Sequence, residues 1–424
     1  MARVWSEENK FAAWLKVEIA AVQAWADMGV VPREDADLIA RNASFRIEDV
    51  DRYEREMHHD MNSFLRSVSD SLGAESRWVH LGLTSYDTED PATALRLVEA
   101  ADILLEDLRQ LEAAIAKRAL EHKDTLMMGR SHGMHAEPIT FGLKLLNWLD
   151  EVRRDIVRLE AAKADVAVGK LSGPVGSHAT VPPELEDRVC ARLGLGVDAV
   201  STQVISRDRH AHFVQTLALI GASLERFATE VRHLQRSEVG EAEEPFQKGQ
   251  QGSSSMPHKR NPEKSERVCG LARILRANSI AALENVALWH ERDISNSSVE
   301  RIILPDSCMA LDYILALFTD IVSGMVVYPQ RMRRNMELTF GVVFSQRVLL
   351  ALVEKGMSRQ EAYPLVQAAG HIALDEGRPF RDTITQQPGV TQHLSPADLD
   401  AIFDYAFYTR EVDKSFARMG LLKD

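Results

Sequence analysis

Apolar residues recur at steps of four, three and four from Leu104 through Leu108 and Leu111 to Ile115. The rhythm returns at Phe213, Leu217, Ile220, Leu224, Phe227, Val231 and Leu234. On an α-helix that spacing gathers the side chains on one face; on a strand it would scatter them over both. Seams kept up over roughly three heptads belong to long helices packed nearly parallel, in a bundle or across subunits. Aromatics are only 6% of the chain, and alternating β-branched runs are scarce. The expected fold class is all-α, and the stripes themselves are core.

The chain in order supports this. Trp14, Val17, Ile19, Ala20, Ala21 and Trp25 mark a first amphipathic helix. Residues 53–72 read as another, carrying His58, His59 and Asp60. Trp78 to Thr88 is polar and interrupted by Gly82, so it reads as a loop leading into a helix. Gly356 can stop a helix, and Ser358 to Glu361 is a capping box for the next. Ser395-Pro396-Ala397-Asp398 starts another, with Ser as N-cap and Pro in the first turn. These signals place domain boundaries near 102 and 355, giving segments 1–102, 103–355 and 356–424.

A length of 424 residues suits about two or three domains. The net charge of -13 argues against a general nucleic-acid or anionic-membrane binder, though it leaves room for a local basic pocket. Cys190, Cys269 and Cys308 are far apart and form no metal spacing, as suits a reducing compartment. No signal peptide opens the chain and no apolar run looks long enough to cross a bilayer, so the expected location is cytoplasmic.

Three polar stretches could carry chemistry. Gly252-Ser253-Ser254-Ser255-Met256-Pro257-His258-Lys259-Arg260-Asn261-Pro262 begins with small residues and ends in donors fenced by prolines. Such a loop is poor core and well suited to closing over an anion; its ordinary alternative is a solvated loop with a basic tip. Gly129 to Pro138 carries His132 and His135, three apart, which would share a face of a helix. A metal pair is disfavoured, because neither a His-Glu-x-x-His nor a cysteine cluster accompanies them. General acid–base work suits imidazole, and a hydrogen-bonded structural role is the ordinary alternative. The third stretch, Glu291 to Arg301, holds Arg292, Ser297, Ser298 and Arg301. Its arginines could clamp a phosphate or carboxylate, or simply line a solvated helix face. Gly169 to Ser177 is glycine-rich but lacks a P-loop ending, so it reads as a connector.

The loop from Gly252 to Pro262 resembles the signature of the fumarase/aspartase superfamily. Trp78 to Asp87, Ser131 to Gly142, Glu300 to Ser307 and Gln346 to Tyr363 narrow the resemblance to the adenylosuccinate lyase family, over nearly the whole chain. That family splits adenylosuccinate into AMP and fumarate, and SAICAR into AICAR and fumarate. The resemblance implies three helical domains, a central bundle that forms the core of a homotetramer, and no metal or organic cofactor. It implies Ser253 as general base, His132 as general acid, Glu266 as the carboxylate paired with that histidine, and His59 as a second active-site histidine. Lys259 and Asn261 would hold the succinyl carboxylates. His58, Asp60, His80, Thr84, Ser85, Gln203, Ser254, Arg260, Arg292, Ser297, Ser298 and Arg301 would complete the substrate contacts.

Residue types and chemistry agree. Removing a proton beside a carboxylate builds up negative charge, which cations and donors must face. A serine is a poor base unless cations or backbone N–H groups stabilise its alkoxide. The family usually carries an Arg-Tyr pair shortly before the position of Trp5, and this sequence does not. The expectation is either a start upstream of Met1 or phosphate recognition by Arg292, Arg301 and their neighbours. Competing readings are another lyase of the superfamily, acting on argininosuccinate or a carboxymuconate, and a catalytically silent helical scaffold. The joint presence of Ser253, His132, Lys259 and Glu266 argues against the scaffold.

Overall fold

The structure, a computed structural model, describes residues 1–422. Five long helices dominate it: Ser85–Glu121, Phe141–Val166, Asp208–Gln235, Glu263–Glu284 and Ser295–Gly324. The stripe residues Leu104, Leu108, Leu111 and Ile115 are fully buried, and so are those from Phe213 to Leu234. The fold class is all-α. Strand structure among the described residues is confined to two-stranded sheets, the longest pairing Leu126–Ser131 with Met134–Thr140.

Contacts group the chain into two units. The first comprises residues 1–110, 153–226 and 267–317, the second 111–152, 227–266 and 318–424. In the first, helix Glu7–Asp27 packs on Arg33–Asn42 and Pro183–Leu193. Phe11 stacks on Phe64 with ring centroids 5.7 Å apart, and Trp14 meets Phe64 edge-on at 5.4 Å. Burying a ring of this size is worth about 3 kcal/mol, so this cluster outweighs any single polar contact nearby. In the second unit, Ser345–Glu354, Arg359–Glu376 and Phe380–Thr385 close a core around Phe344, Leu352, Val366 and Phe380. The expected capping box forms between Ser358 and Glu361, and the expected N-cap at Ser395 forms as well, completed into a capping box by Asp398.

Three expectations need correction. The helix expected over 53–72 is two helices, Ile47–Met57 and Asp60–Asp70. His58 adopts the left-handed conformation (φ 50°), which cannot continue a right-handed helix, and the next helix starts afresh. Periodicity hid the break, because Val50 before it and Met61, Phe64 and Val68 after it all face the same core.

His132 and His135 do not lie on a helix face either. His132 (φ 55°) and Gly133 (φ 79°) are the two turn residues of the hairpin that joins Leu126–Ser131 to Met134–Thr140. Two successive left-handed residues are what a tight hairpin turn demands.

Helix Ser295–Gly324, finally, is long and apolar enough by length and composition to cross a bilayer, against the expectation that no apolar run is. Its apolar residues Leu311, Ile314, Leu315 and Phe318 are all fully buried, as in the core helix of a bundle.

Candidate active site

In the first unit, the break between two short helices makes a polar corner. His59 caps Asp60–Asp70, its Nδ1 accepting from the Asn62 N–H at 3.4 Å. Asp60 Oδ2 accepts from Arg301 Nη2 at 2.6 Å. Burial pushes the Asp60 carboxyl up, but the Arg301 guanidinium outweighs it and leaves it below the ordinary range. Arg301 lies on helix Ser295–Gly324 and lines a cavity of about 270 Å³ together with Lys10, Tyr86, Glu89 and Ser297. Burial lowers the Lys10 pKa, and burial with the nearby Asp60 charge raises Glu89 to about 8. Arg96 and Arg207 line the same cavity, as do Glu7, Asp90 and Glu300, so cations and carboxyls stand side by side in it and a polar guest would find both donors and acceptors.

The loop that carries Thr84 and Ser85 is fixed from beneath by Asp87. One carboxylate oxygen of Asp87 accepts the Thr84 N–H at 2.9 Å; the other accepts from Ser172 N at 3.0 Å and Gly173 N at 3.2 Å. Lys170 Nζ sits 2.6 Å from that second oxygen, and both side chains are wholly enclosed. The connector Gly169 to Ser177 thus holds a buried ion pair behind a site loop. His80, in left-handed backbone (φ 65°), has Nδ1 2.7 Å from Glu18 Oε1, which also accepts from the Thr88 hydroxyl at 2.6 Å. Burial works against the charge on His80, but the Glu18 carboxylate overcomes it, so the His80 pKa lies above the ordinary value. Arg207, buried, joins Asp90 at 2.8 Å to Glu300 at 3.0 Å, and so fixes the residue beside Arg301.

In the second unit, His132 stands at the exposed tip of the hairpin. Close to the turn the hairpin is held by Arg130, whose two terminal nitrogens donate to the Glu241 oxygens at 2.9 and 2.6 Å. Glu241 is fully buried and also accepts from Asn335 Nδ2 at 2.8 Å. Anchored at Arg130, two residues before His132, the hairpin can present an imidazole to a partner group without carrying it into the core.

The serine loop is anchored at both ends. Asn261 Nδ2 donates to the Gly252 carbonyl, and Arg260 pairs with Glu243 at 2.8 Å. Glu244 accepts from Lys264 N and Ser265 N, capping helix Glu263–Glu284 as it leaves the loop. Ser253 Oγ accepts from the backbone N–H groups of Ser255 at 3.3 Å and Met256 at 3.1 Å. Two N–H dipoles aimed at one hydroxyl oxygen favour its alkoxide, meeting the condition set for a serine base. Ser254 and Lys259 are exposed beside it, and the Lys259 ammonium engages no carboxylate among the described residues.

Within one chain, no hydrogen bond or ion pair joins His132 to Glu266 or Ser253, and Glu266 faces solvent on the first turn of its helix. Arg292 does meet Gln203, Nη1 to Oε1 at 2.9 Å, while Ser298 is exposed. Sequence reasoning passed over Glu18, Asp87, Asp90, Lys170, Arg207 and Glu241. One signal was available: Glu18 falls on the apolar stripe of Trp14, Ala21 and Trp25, where a charge needs a buried partner.

Comparison with known proteins decides the family. A family model described as "Lyase" matches residues 1–275, and one described as "Adenylosuccinate lyase C-terminus" matches residues 341–419. The chain is 50% identical over 421 residues to the adenylosuccinate lyase of Bacillus subtilis (strain 168), covering 99% of this chain and 98% of that protein. The chain belongs to the adenylosuccinate lyase family. Among solved structures it resembles a fumarate lyase from Mesorhizobium sp. BNC1 (TM-score 0.90, 26% identity, 98% and 97% of the two chains). It also resembles a 3-carboxy-cis,cis-muconate lactonizing enzyme from Pseudomonas putida (TM-score 0.87, 28% identity, 98% and 95%). The backbone is therefore shared with proteins of differently named activity, at 26% and 28% identity, against 50% identity with the adenylosuccinate lyase of Bacillus subtilis.

Proposed function

We propose that this chain eliminates fumarate from adenylosuccinate, leaving AMP, and from SAICAR, leaving AICAR. The observation that carries the reading is its likeness, over nearly its whole length, to an adenylosuccinate lyase. Ser253 removes the proton from the carbon beside the succinyl carboxylate, its alkoxide steadied by the Ser255 and Met256 N–H groups. The electron pair left on carbon becomes the fumarate double bond as the C–N bond breaks. His132 gives its proton to the leaving nitrogen, with Glu266 sustaining the imidazolium. Lys259 and Asn261 face the succinyl carboxylates, and Arg260 is among the other substrate contacts. The corner of His58, His59 and Asp60, the supported His80–Thr84–Ser85 loop, Gln203, Ser254, Arg292, Ser297, Ser298 and Arg301 hold the nucleotide.

His132, Glu266 and Ser253 do not meet within one chain, so the site is assembled from several subunits of a homotetramer built on the long-helix bundle. Domains over 1–102, 103–355 and 356–424, a cytoplasmic location, and no requirement for a metal, an organic cofactor, nucleic acid or membrane complete the reading. The test is fumarate release from both purine substrates by the assembled enzyme, with argininosuccinate and a carboxymuconate as controls. Ser253→Ala should lower kcat by roughly 10²–10⁴-fold while leaving the oligomer intact. Full activity in that variant removes Ser253 as the base, and turnover of a control substrate alone reassigns the reaction.

A further inference from the structure

Arg292 lies in the segment between helices Glu263–Glu284 and Ser295–Gly324, where the backbone does little to fix a long side chain. Its guanidinium is nonetheless held in two ways. The guanidinium carbon is 3.6 Å from the centroid of the Tyr86 ring. Nη1 donates to Gln203 Oε1, and Gln203 is fixed in turn by Nε2 donating to the Pro174 carbonyl at 3.0 Å. The Arg292 Nε–H is enclosed and meets no acceptor. A shielded guanidinium N–H without a partner is costly, and a ligand oxygen would relieve it.

The Tyr86 ring is itself immobile. It is 5% exposed and sits in the first turn of Ser85–Glu121. A second guanidinium, Arg207, lies 5.7 Å from the same ring and is locked by Asp90 and Glu300. The charge of Arg207 is balanced by those two carboxylates, so it does not displace Arg292 from the ring. The ring face and Gln203 keep Arg292 in place.

We propose that Tyr86 is a positioning residue, whose ring face fixes Arg292 so that Nε and Nη2 are presented to an anionic oxygen of the nucleotide substrate. The inference rests on the reading above that Arg292 binds substrate. Stacking leaves the edge of the guanidinium plane free for coplanar hydrogen bonds, which is the geometry a phosphate or carboxylate accepts. An aliphatic residue at 86 fills the space without offering a negative ring face.

The experiment measures kcat and KM for adenylosuccinate in Tyr86→Phe, Tyr86→Leu, Arg292→Ala and the double variant Tyr86→Leu/Arg292→Ala, each as the assembled enzyme. Tyr86→Phe keeps the ring face, and KM stays within about threefold. Tyr86→Leu raises KM by about 2- to 30-fold with kcat little changed. In the Arg292→Ala background the same leucine adds nothing further, because there is no guanidinium left to place. If Tyr86→Leu does not fold, Tyr86→Met carries the same comparison. AMP binding by calorimetry gives a second readout without turnover, with weaker binding in Tyr86→Leu and not in Tyr86→Phe. A wild-type KM in Tyr86→Leu, or an equal effect with and without Arg292, overturns the proposal. Should the wild-type enzyme release no fumarate, the reaction assignment falls, and the AMP measurements still decide for or against Tyr86.

Discussion

The side-chain amide of Asn261 donates to the carbonyl of Gly252 at 2.7 Å, closing the neck of the serine loop. The loop is therefore tied at its base, and any closure over a ligand is a motion of the segment between these residues. Gly252 packs so tightly there that an added Cβ would lie 2.0 Å from the Lys259 carbonyl oxygen. Gly252→Ala should thus displace the loop without touching the core. Turnover should fall by about 100-fold, the loss expected of a misplacement near 1 Å. Thermal unfolding should shift little. Kinetics beside a melting curve check this, and a large drop in Tm with normal kcat would contradict it.

The hairpin that carries His132 depends on one buried carboxylate. Glu241→Gln leaves the Arg130 guanidinium, two residues before the turn, without its counter-charge. Breaking such a pair from one side costs about 3–5 kcal/mol. Asn335→Ala removes only a neutral donor and should cost about 1 kcal/mol. Urea unfolding of the two variants measures the difference, and equal losses would deny the ionic character of the anchor.

Lys170→Met strands the enclosed Asp87 carboxylate. The expected loss is again about 3–5 kcal/mol, with Thr84 and Ser85 loosened at the same time. Adding Asp87→Asn should restore part of that loss, because the unpaired charge is gone. Denaturant titration of the single and double variants decides, and strictly additive losses would show that the pair does not act as a unit.

The Glu18–His80 pair makes stability depend on pH. The folded-state pKa of His80 is raised, so its contribution is fully present below the ordinary histidine value of about 6.5. It fades as pH rises through the higher folded value. Glu18→Gln should therefore cost more stability at low pH than at high pH, with the gap from wild type narrowing through that window. Unfolding midpoints taken across the range test the sign; a gap that widens with pH would reverse it.

Much of the fold could be read before any coordinates. The steps from Leu104 to Ile115 and from Phe213 to Leu234 are a local property, since helix geometry alone decides which side chains share a face. The capping box at Ser358 and the N-cap at Ser395 are equally local. Periodicity could not reveal the break at His58, because two helices facing one core keep the same apolar rhythm through the kink between them. Nor could it distinguish a helix from a hairpin around His132, where the deciding fact is positive φ at two successive residues.

By itself, then, the sequence determined the helical class and singled out the serine loop as the candidate reactive one, with the residue types the proposed chemistry requires. The tertiary structure alone decided which charges stand behind that chemistry: Asp87 with Lys170, Arg207 with Asp90 and Glu300, Arg130 with Glu241, Tyr86 beneath Arg292. The reason is that a charge can be buried only where a distant segment delivers its partner, as in the 83 residues' separation of Asp87 from Lys170. Spacing along the chain records which face a residue points to, and it carries no record of what waits on the other side.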